Sequence, residues 1–379
     1  MEVSLAVALA LVLAAAVSYE LKISSAVLEI LAGMVLAVFI VDIDQTDWLE
    51  YLSSLGMLAL MFVAGFELRI RTLKENCKPS LTIGVISFLC PFTGIFIATY
   101  FWLSLGFMAS TLISIGLSTT SLALVYHQLK EQGLISSKHG QIMFGAASVV
   151  DVISMVALAI LLGEFGIGTA VFLVILVFSL LALPRVGRWI FKHYPNSIAE
   201  PELRFLMVVI VGMGSMAENI GHIHPALVAF IIGVFMSRVV EDNKEVKGKL
   251  MGMVLGFFAP IFFLYSGTRI DLSYMEGDYI LIAFVMFVTA TSLKYLGTYI
   301  SSKAFIPERA AYSGILFNYR LSFGIITATV GLESGIISEQ MFAVIMLVVV
   351  SSAAIPGVFL RERVEEEESN HEEDSAGSS

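Results

Sequence analysis

Six ionisable residues of this chain fall inside long apolar stretches: Glu29, Glu67, Asp151, Glu218, Lys294 and Arg320. Ionised side chains are costly in hydrocarbon, so those retained there usually handle an ion or hold a fold together. Asp151 sits in the middle of GAASVVDVISMVALAI, just after Gly145, Ala146, Ala147 and Ser148. Small residues let a neighbouring helix approach closely, so this carboxylate is expected to face the inside of a helix bundle. There it can bind a proton or a cation, because holding neither is unfavourable at low dielectric. The competing reading is a permanent ion pair with Lys294 or Arg320. Lys294, in VMFVTATSLKYLGTYISS, is either a structural ion-pair partner or one released when Asp151 takes a cation. Arg320, in ILFNYRLSFGIIT, keeps its charge and reads as an anchor. Glu29 and Glu67 read as span-end or packing residues.

These groups need a membrane-embedded scaffold, and the composition supplies one. Apolar residues make up 58% of the 379 and charged residues 14%, against about 25% charged in a typical soluble domain. At roughly 20 apolar residues per crossing, thirteen spans emerge: 3–19, 24–42, 51–68, 80–101, 107–126, 141–162, 167–184, 204–221, 223–238, 250–268, 279–300, 309–332 and 338–360. The first lacks a basic flank and cleavage site and is not read as a signal peptide. Alternate loops carry the positive charge: Lys22; Arg69 to Lys78; Lys130 and Lys138; Arg185 to Arg204; Arg238 to Lys249; Lys303 and Arg309; Arg361 and Arg363. Positive loops stay inside. The expectation is therefore a multi-pass cell-membrane protein with its N-terminus outside and its C-terminus cytoplasmic.

The net charge of -10 is mostly local: Arg361–Ser379 holds eight acids against two arginines. This acidic, Ser-rich segment, 361–379, is expected to be a disordered cytoplasmic tail; residues 1–360 form the transmembrane domain. No basic patch points to nucleic acid, and no fused nucleotide-binding domain is expected. Cys77 and Cys90 fit no metal or disulfide framework. The six histidines form no ligand set, so no cofactor, enzyme activity or bound metal is expected beyond a transported monovalent cation.

Two spans read as broken. In STLISIGLSTTSLALVYHQL the cluster Ser118, Thr119, Thr120 and Ser121 competes for helical backbone bonds. In SGILFNYRLSFGIITATVG the residues Asn318, Arg320, Ser322 and Gly324 fall mid-membrane. Discontinuous helices that present carbonyls and dipoles at the midplane recur in transporters. Spans four to six and eleven to thirteen form two triplets of opposite topology, each with a polar middle member, the pattern of an inverted repeat.

Several segments resemble, in order, the monovalent cation:proton antiporter-2 family of the sodium/hydrogen exchanger superfamily. They are AVLEILAGMVLAV with Glu29, LGMLALMFVAGFEL ending near Glu67, LSTTSLALVYHQLKEQG, MAENIGHIHPALVAFIIGV and PIFFLYSGTRIDL. The resemblance implies an all-α fold of about thirteen helices, with two crossed discontinuous helices, assembled as a homodimer in the bilayer. It implies a core built from spans near 80–162 and 279–360, and a dimerisation scaffold from the rest. The family's paired acidic site falls on Val150 and Asp151, so the cation-binding aspartate maps onto Asp151 and the core lysine onto Lys294. Val150 departs from the acid or amide usual there. Sodium is the expected cation, with potassium or lithium as alternatives, exchanged for H⁺. Thr119, Thr120 and Ser121 are expected to add hydroxyl or carbonyl ligands. A single carboxylate makes one-for-one, electroneutral exchange the simplest cycle. Its outcome turns on whether another group, such as Glu67 or Glu218, holds the Lys294 ammonium when the cation arrives. The alternatives are a channel-like or ligand-gated efflux protein, or a transport-inactive sensor or assembly subunit.

Overall fold

The structure, a computed structural model, describes residues 2–21, 24–40, 43, 46–67, 76–135, 137–163, 166–194, 199–221, 223–241, 243–270 and 277–353. The tail 361–379, His222, Lys22, Arg69, Arg71, Lys74 and the side chain of Glu67 lie outside that set. The described chain is almost entirely helical. Among the described residues, eight helices are long and apolar enough to cross a membrane, and five shorter apolar helices accompany them. Each of the thirteen expected segments carries a helix, which is compatible with thirteen crossings.

The chain divides into two compact units. The first comprises residues 1–17, 28–70 and 155–269. It contains most of α1 (Glu2–Leu21) and α2 (Ser25–Phe39), and α3 (Asp47–Glu67). The second comprises residues 18–27, 71–154 and 270–379, and its first helices are α4 (Cys77–Ile97), α5 (Phe107–Ser118), α6 (Leu122–Glu131) and most of α7 (Lys138–Leu162). The first unit then resumes with α8 (Ile167–His193), α9 (Pro201–Met216), α10 (Pro225–Glu241), α11 (Lys244–Met253) and α12 (Ala259–Thr268). The second unit closes with α13 (Gly277–Lys303), α14 (Ala310–Leu316), α15 (Ser322–Glu333) and α16 (Glu339–Ala353).

In the first unit, helices meet backbone to backbone. A Cβ on Gly233 of α10 would collide with the Phe62 carbonyl of α3, and one on Gly65 of α3 with the Phe230 carbonyl of α10. The same reciprocal arrangement joins α2 and α12, through Gly33 against Leu264 and Gly267 against Ile30. Lipid gives no hydrophobic drive for helix pairing, so close van der Waals approach at small residues does that work. Elsewhere α8 leaves Val174, Phe178 and Leu181 exposed, a surface suited to hydrocarbon. Between α11 and α12 the helix widens into a π-turn over Val254–Phe258 just ahead of Pro260, whose missing N–H interrupts the ladder.

The second unit carries the two breaks. Helix α5 stops at Ser118, and Thr119 is extended (φ -70°, ψ 167°) before α6 begins. Helices α14 and α15 are separated by residues 317–321. Gly94 of α4 packs against Leu293 and Thr289 of α13, while Gly297 packs against Cys90 and Ile86. As numbering rises along one helix it falls along the other, so these equivalent first members of the two triplets are antiparallel, as an inverted repeat requires. Gly116 against Thr327 and Gly331 against Leu112 set the broken partners α5 and α15 antiparallel too.

The glycine contacts make a prediction whose sign differs between two sites. Gly233→Ala should lower the melting temperature in detergent, since forced overpacking costs about 1–3 kcal/mol. Gly212→Ala, on α9 with open space around it, should leave it unchanged or raise it, because alanine is the better helix former. Equal shifts at the two positions would refute the close-packing account.

Candidate functional site

A helix that ends inside a membrane leaves carbonyls without intrahelical partners. At the α5 end the protein supplies them. Lys294 Nζ donates to the Ser118 carbonyl at 2.6 Å. The Thr119 hydroxyl donates to Gly116 O at 2.9 Å, and the Thr120 hydroxyl reaches across to Phe317 O at 3.1 Å. The Ser121 amide donates to Tyr319 O at 2.6 Å. The last two bonds join the two breaks directly, so α5–α6 and α14–α15 cross at their interrupted residues. An ammonium at a helix C-terminus also meets the negative end of the helix dipole.

Each threonine hydroxyl spends its proton on a carbonyl. Its oxygen lone pairs remain available to a cation. Among the described residues, the expected ligands Thr119, Thr120 and Ser121 are all buried at the crossing. Asp151, also buried, sits midway along α7 in the same unit as Lys294. Val150 is fully buried, and its carbonyl accepts the Ser154 hydroxyl at 2.8 Å. Gly84 of α4 holds α7 close at Val149 and the Ala146 carbonyl.

Arg320 is fully buried on the second break. Its guanidinium donates to Ala290 O at 2.7 Å, Asn318 Oδ1 at 2.8 Å, Ser352 Oγ at 3.0 Å and Thr291 Oγ1 at 3.4 Å. Asn318 in turn donates to Gly314 O at 2.9 Å. The arginine thereby ties the break to α13 and α16 through neutral acceptors. Ser352, Thr291 and Ala290 escaped sequence reasoning, and nothing in their local pattern marks them as arginine partners. Lys294, Asp151, Arg320 and the hydroxyl cluster all belong to the second unit. Glu67 and Glu218 belong to the first; Glu218 is exposed on the π-turn Ala217–Gly221. Glu29 is buried on α2, also in the first unit.

Residues 7–365 match the family described as sodium/hydrogen exchanger, transmembrane. The chain belongs to this family. It is 28% identical over 344 residues to "Probable Na(+)/H(+) antiporter 3" of Methanocaldococcus jannaschii, covering 87% of this chain and 88% of that protein. It is 24% identical over 365 residues to the Na(+)/H(+)-K(+) antiporter GerN of Bacillus cereus, with 92% of each covered. Its fold matches that of the sodium proton antiporter MjNhaP1 from Methanocaldococcus jannaschii, with a TM-score of 0.68 at 18% identity over 95% of this chain and 96% of that one. This exchanger-family chain is thus an all-α multi-pass membrane protein with the antiporter fold.

His224 lies in the turn ahead of Pro225, and its Nδ1 accepts the Ala226 amide at 3.3 Å, satisfying an N-terminal donor of α10.

Proposed function

We propose that this protein is a secondary antiporter that exchanges a monovalent cation, sodium first among them, for protons by alternating access around Asp151. The observation that carries the reading is the crossing itself. A buried carboxylate lies in the same unit as Lys294, whose ammonium is bonded to the open end of a broken helix beside lone-pair-bearing threonine oxygens. The names of the relatives support sodium, and that of GerN keeps potassium open. A channel has no need for a proton-binding group, whereas an antiporter must have one. The homodimer and an orientation with the N-terminus outside belong to the same proposal.

Cation and proton compete for one carboxylate. Coupling then needs no contact between the two ions, because Asp151 carries one or the other in each direction. When a cation neutralises Asp151, the Lys294 ammonium keeps the Ser118 carbonyl and the α5 dipole as partners. A partner worth about 1.4 kcal/mol holds a proton affinity one unit higher, so these contacts favour a Lys294 that ends each cycle with the charge it began with. One cation then exchanges for one proton, and no net charge moves.

Proteoliposomes test this with each alkali cation in turn. The wild type should exchange sodium for protons, and Asp151→Asn should lose exchange at least a hundredfold while remaining folded and inserted. A potential of roughly 100 mV, worth about 2.3 kcal/mol per charge, should not drive cation accumulation at equal pH. Full activity in Asp151→Asn ends the assignment of the site. Potential-driven uptake ends the electroneutral cycle.

A further inference from the structure

Most buried hydroxyls on the helices of the second unit are spent on their own backbone. Ser114, Ser148, Ser154, Ser301, Thr327 and Ser352 each donate to the carbonyl four residues back. Several buried hydroxyls of this unit break the habit, among them Ser118 of α5 and Thr329 of α15; three more lie on the facing helices α13 and α4. Thr298 and Ser302 of α13 and Ser87 of α4 are fully buried, and their oxygens have no hydrogen-bond partner. Buried polar groups of this kind are normally satisfied, by ordered water where protein does not reach them.

Their positions form a line. Lys294, Thr298 and Ser302 recur every four residues, so they lie on one face of α13. At 1.5 Å per residue each step is about 6 Å. That is too long for a direct hydrogen bond and matches two bonds of about 2.8 Å through a single water. Ser87 lies on α4 one residue after Ile86, whose carbonyl packs against Gly297 of α13, so it belongs to the turn of α4 next to α13. The line ends at Ser302, and the next residues, Lys303 and Ala304, are exposed.

We propose that Thr298, Ser302 and Ser87 hold a file of water molecules that conducts protons between the Lys303 end of α13 and Lys294. A hydroxyl both donates and accepts, so each can pass a proton from one water to the next. In the uptake direction a proton enters from bulk water at the Lys303 end. Lys294 gives one of its protons to the Asp151 carboxylate and takes a replacement from the file. Release runs the same steps in reverse, and the lysine charge is the same before and after. Lys294 and Asp151 are both buried in the second unit; Arg320 there keeps its proton and is held by its own acceptors, so Asp151 is the partner assigned to the transfer. This inference rests on the antiport reading and adds to it a proton route through the core that is separate from the cation's.

The test uses the full chain in liposomes, in a Cys77→Ser, Cys90→Ser background, with silver ion as the probe and intact mass as the readout. Thr298→Cys and Ser302→Cys should react at least tenfold faster than Ser154→Cys, whose native hydroxyl is equally buried but bonded to its own backbone. Rates no faster than that control overturn the file, whatever the protein transports. The double variant Thr298→Val, Ser302→Ala should then slow exchange at least fivefold, with the cation KM unchanged and a larger solvent deuterium isotope effect. Wild-type exchange in the double variant overturns the file's role in proton delivery, even where the cysteines are labelled. A raised KM with no change in isotope effect also overturns it, since that would mark damage to the cation site. Loss of the antiport assignment would show instead as persistent exchange in Asp151→Asn, with silver labelling unaffected.

Discussion

The open C-terminal end of α5 is the constraint around which the second unit is arranged. In water, a helix that stops at Ser118 would lose little, because solvent would take its carbonyls. Inside a bilayer each such group needs a protein partner. The bond from Lys294 to the Ser118 carbonyl is charge-assisted and aligned with the negative end of the helix dipole. The same lysine belongs to the unit that holds Asp151, the one carboxylate midway along α7, so the bond that makes the break tolerable also fixes an ammonium in the unit that carries the carboxylate.

The second break is stabilised differently. Arg320 cannot readily give up its proton, so it suits a fixed brace, and its acceptors come from α13, α16 and its own loop. A lysine there would lose the planar fork that serves several acceptors at once. Two buried cations thus have distinct tasks: one braces α14–α15 rigidly, and the other holds the end of α5. The first unit contains no comparable break among its described residues. It relies instead on reciprocal glycine contacts between α3 and α10 and between α2 and α12, which bring those helices into backbone contact.

Much of this was legible in the sequence. Both breaks could be read from STTS and from NYRLS, because clustered hydroxyls and a mid-membrane arginine are incompatible with an ordinary apolar helix. The positions of the helices followed from hydropathy, although their ends did not. Helix α6 continues to Glu131, beyond the expected span end at 126, and α11 starts at Lys244 rather than 250, because charged residues form helix readily once outside the apolar layer. What the sequence withheld was the partner list. Ala290, Thr291 and Ser352 become arginine ligands only when α13 and α16 converge on the break. The Ser118 carbonyl, a backbone atom, has no signature of its own. That Glu67 and Glu218 belong to a different unit from Lys294 was likewise invisible in one dimension.

The central claim is that cation and proton compete for Asp151 at this crossing. The most direct measurement is cation affinity as a function of pH, by calorimetry on the purified protein. Competition at one carboxylate predicts that the apparent sodium Kd rises about tenfold for each unit of pH below the proton affinity of the site, with one proton released per cation bound. A Kd independent of pH, or sodium binding that survives unchanged in Asp151→Asn, would contradict it.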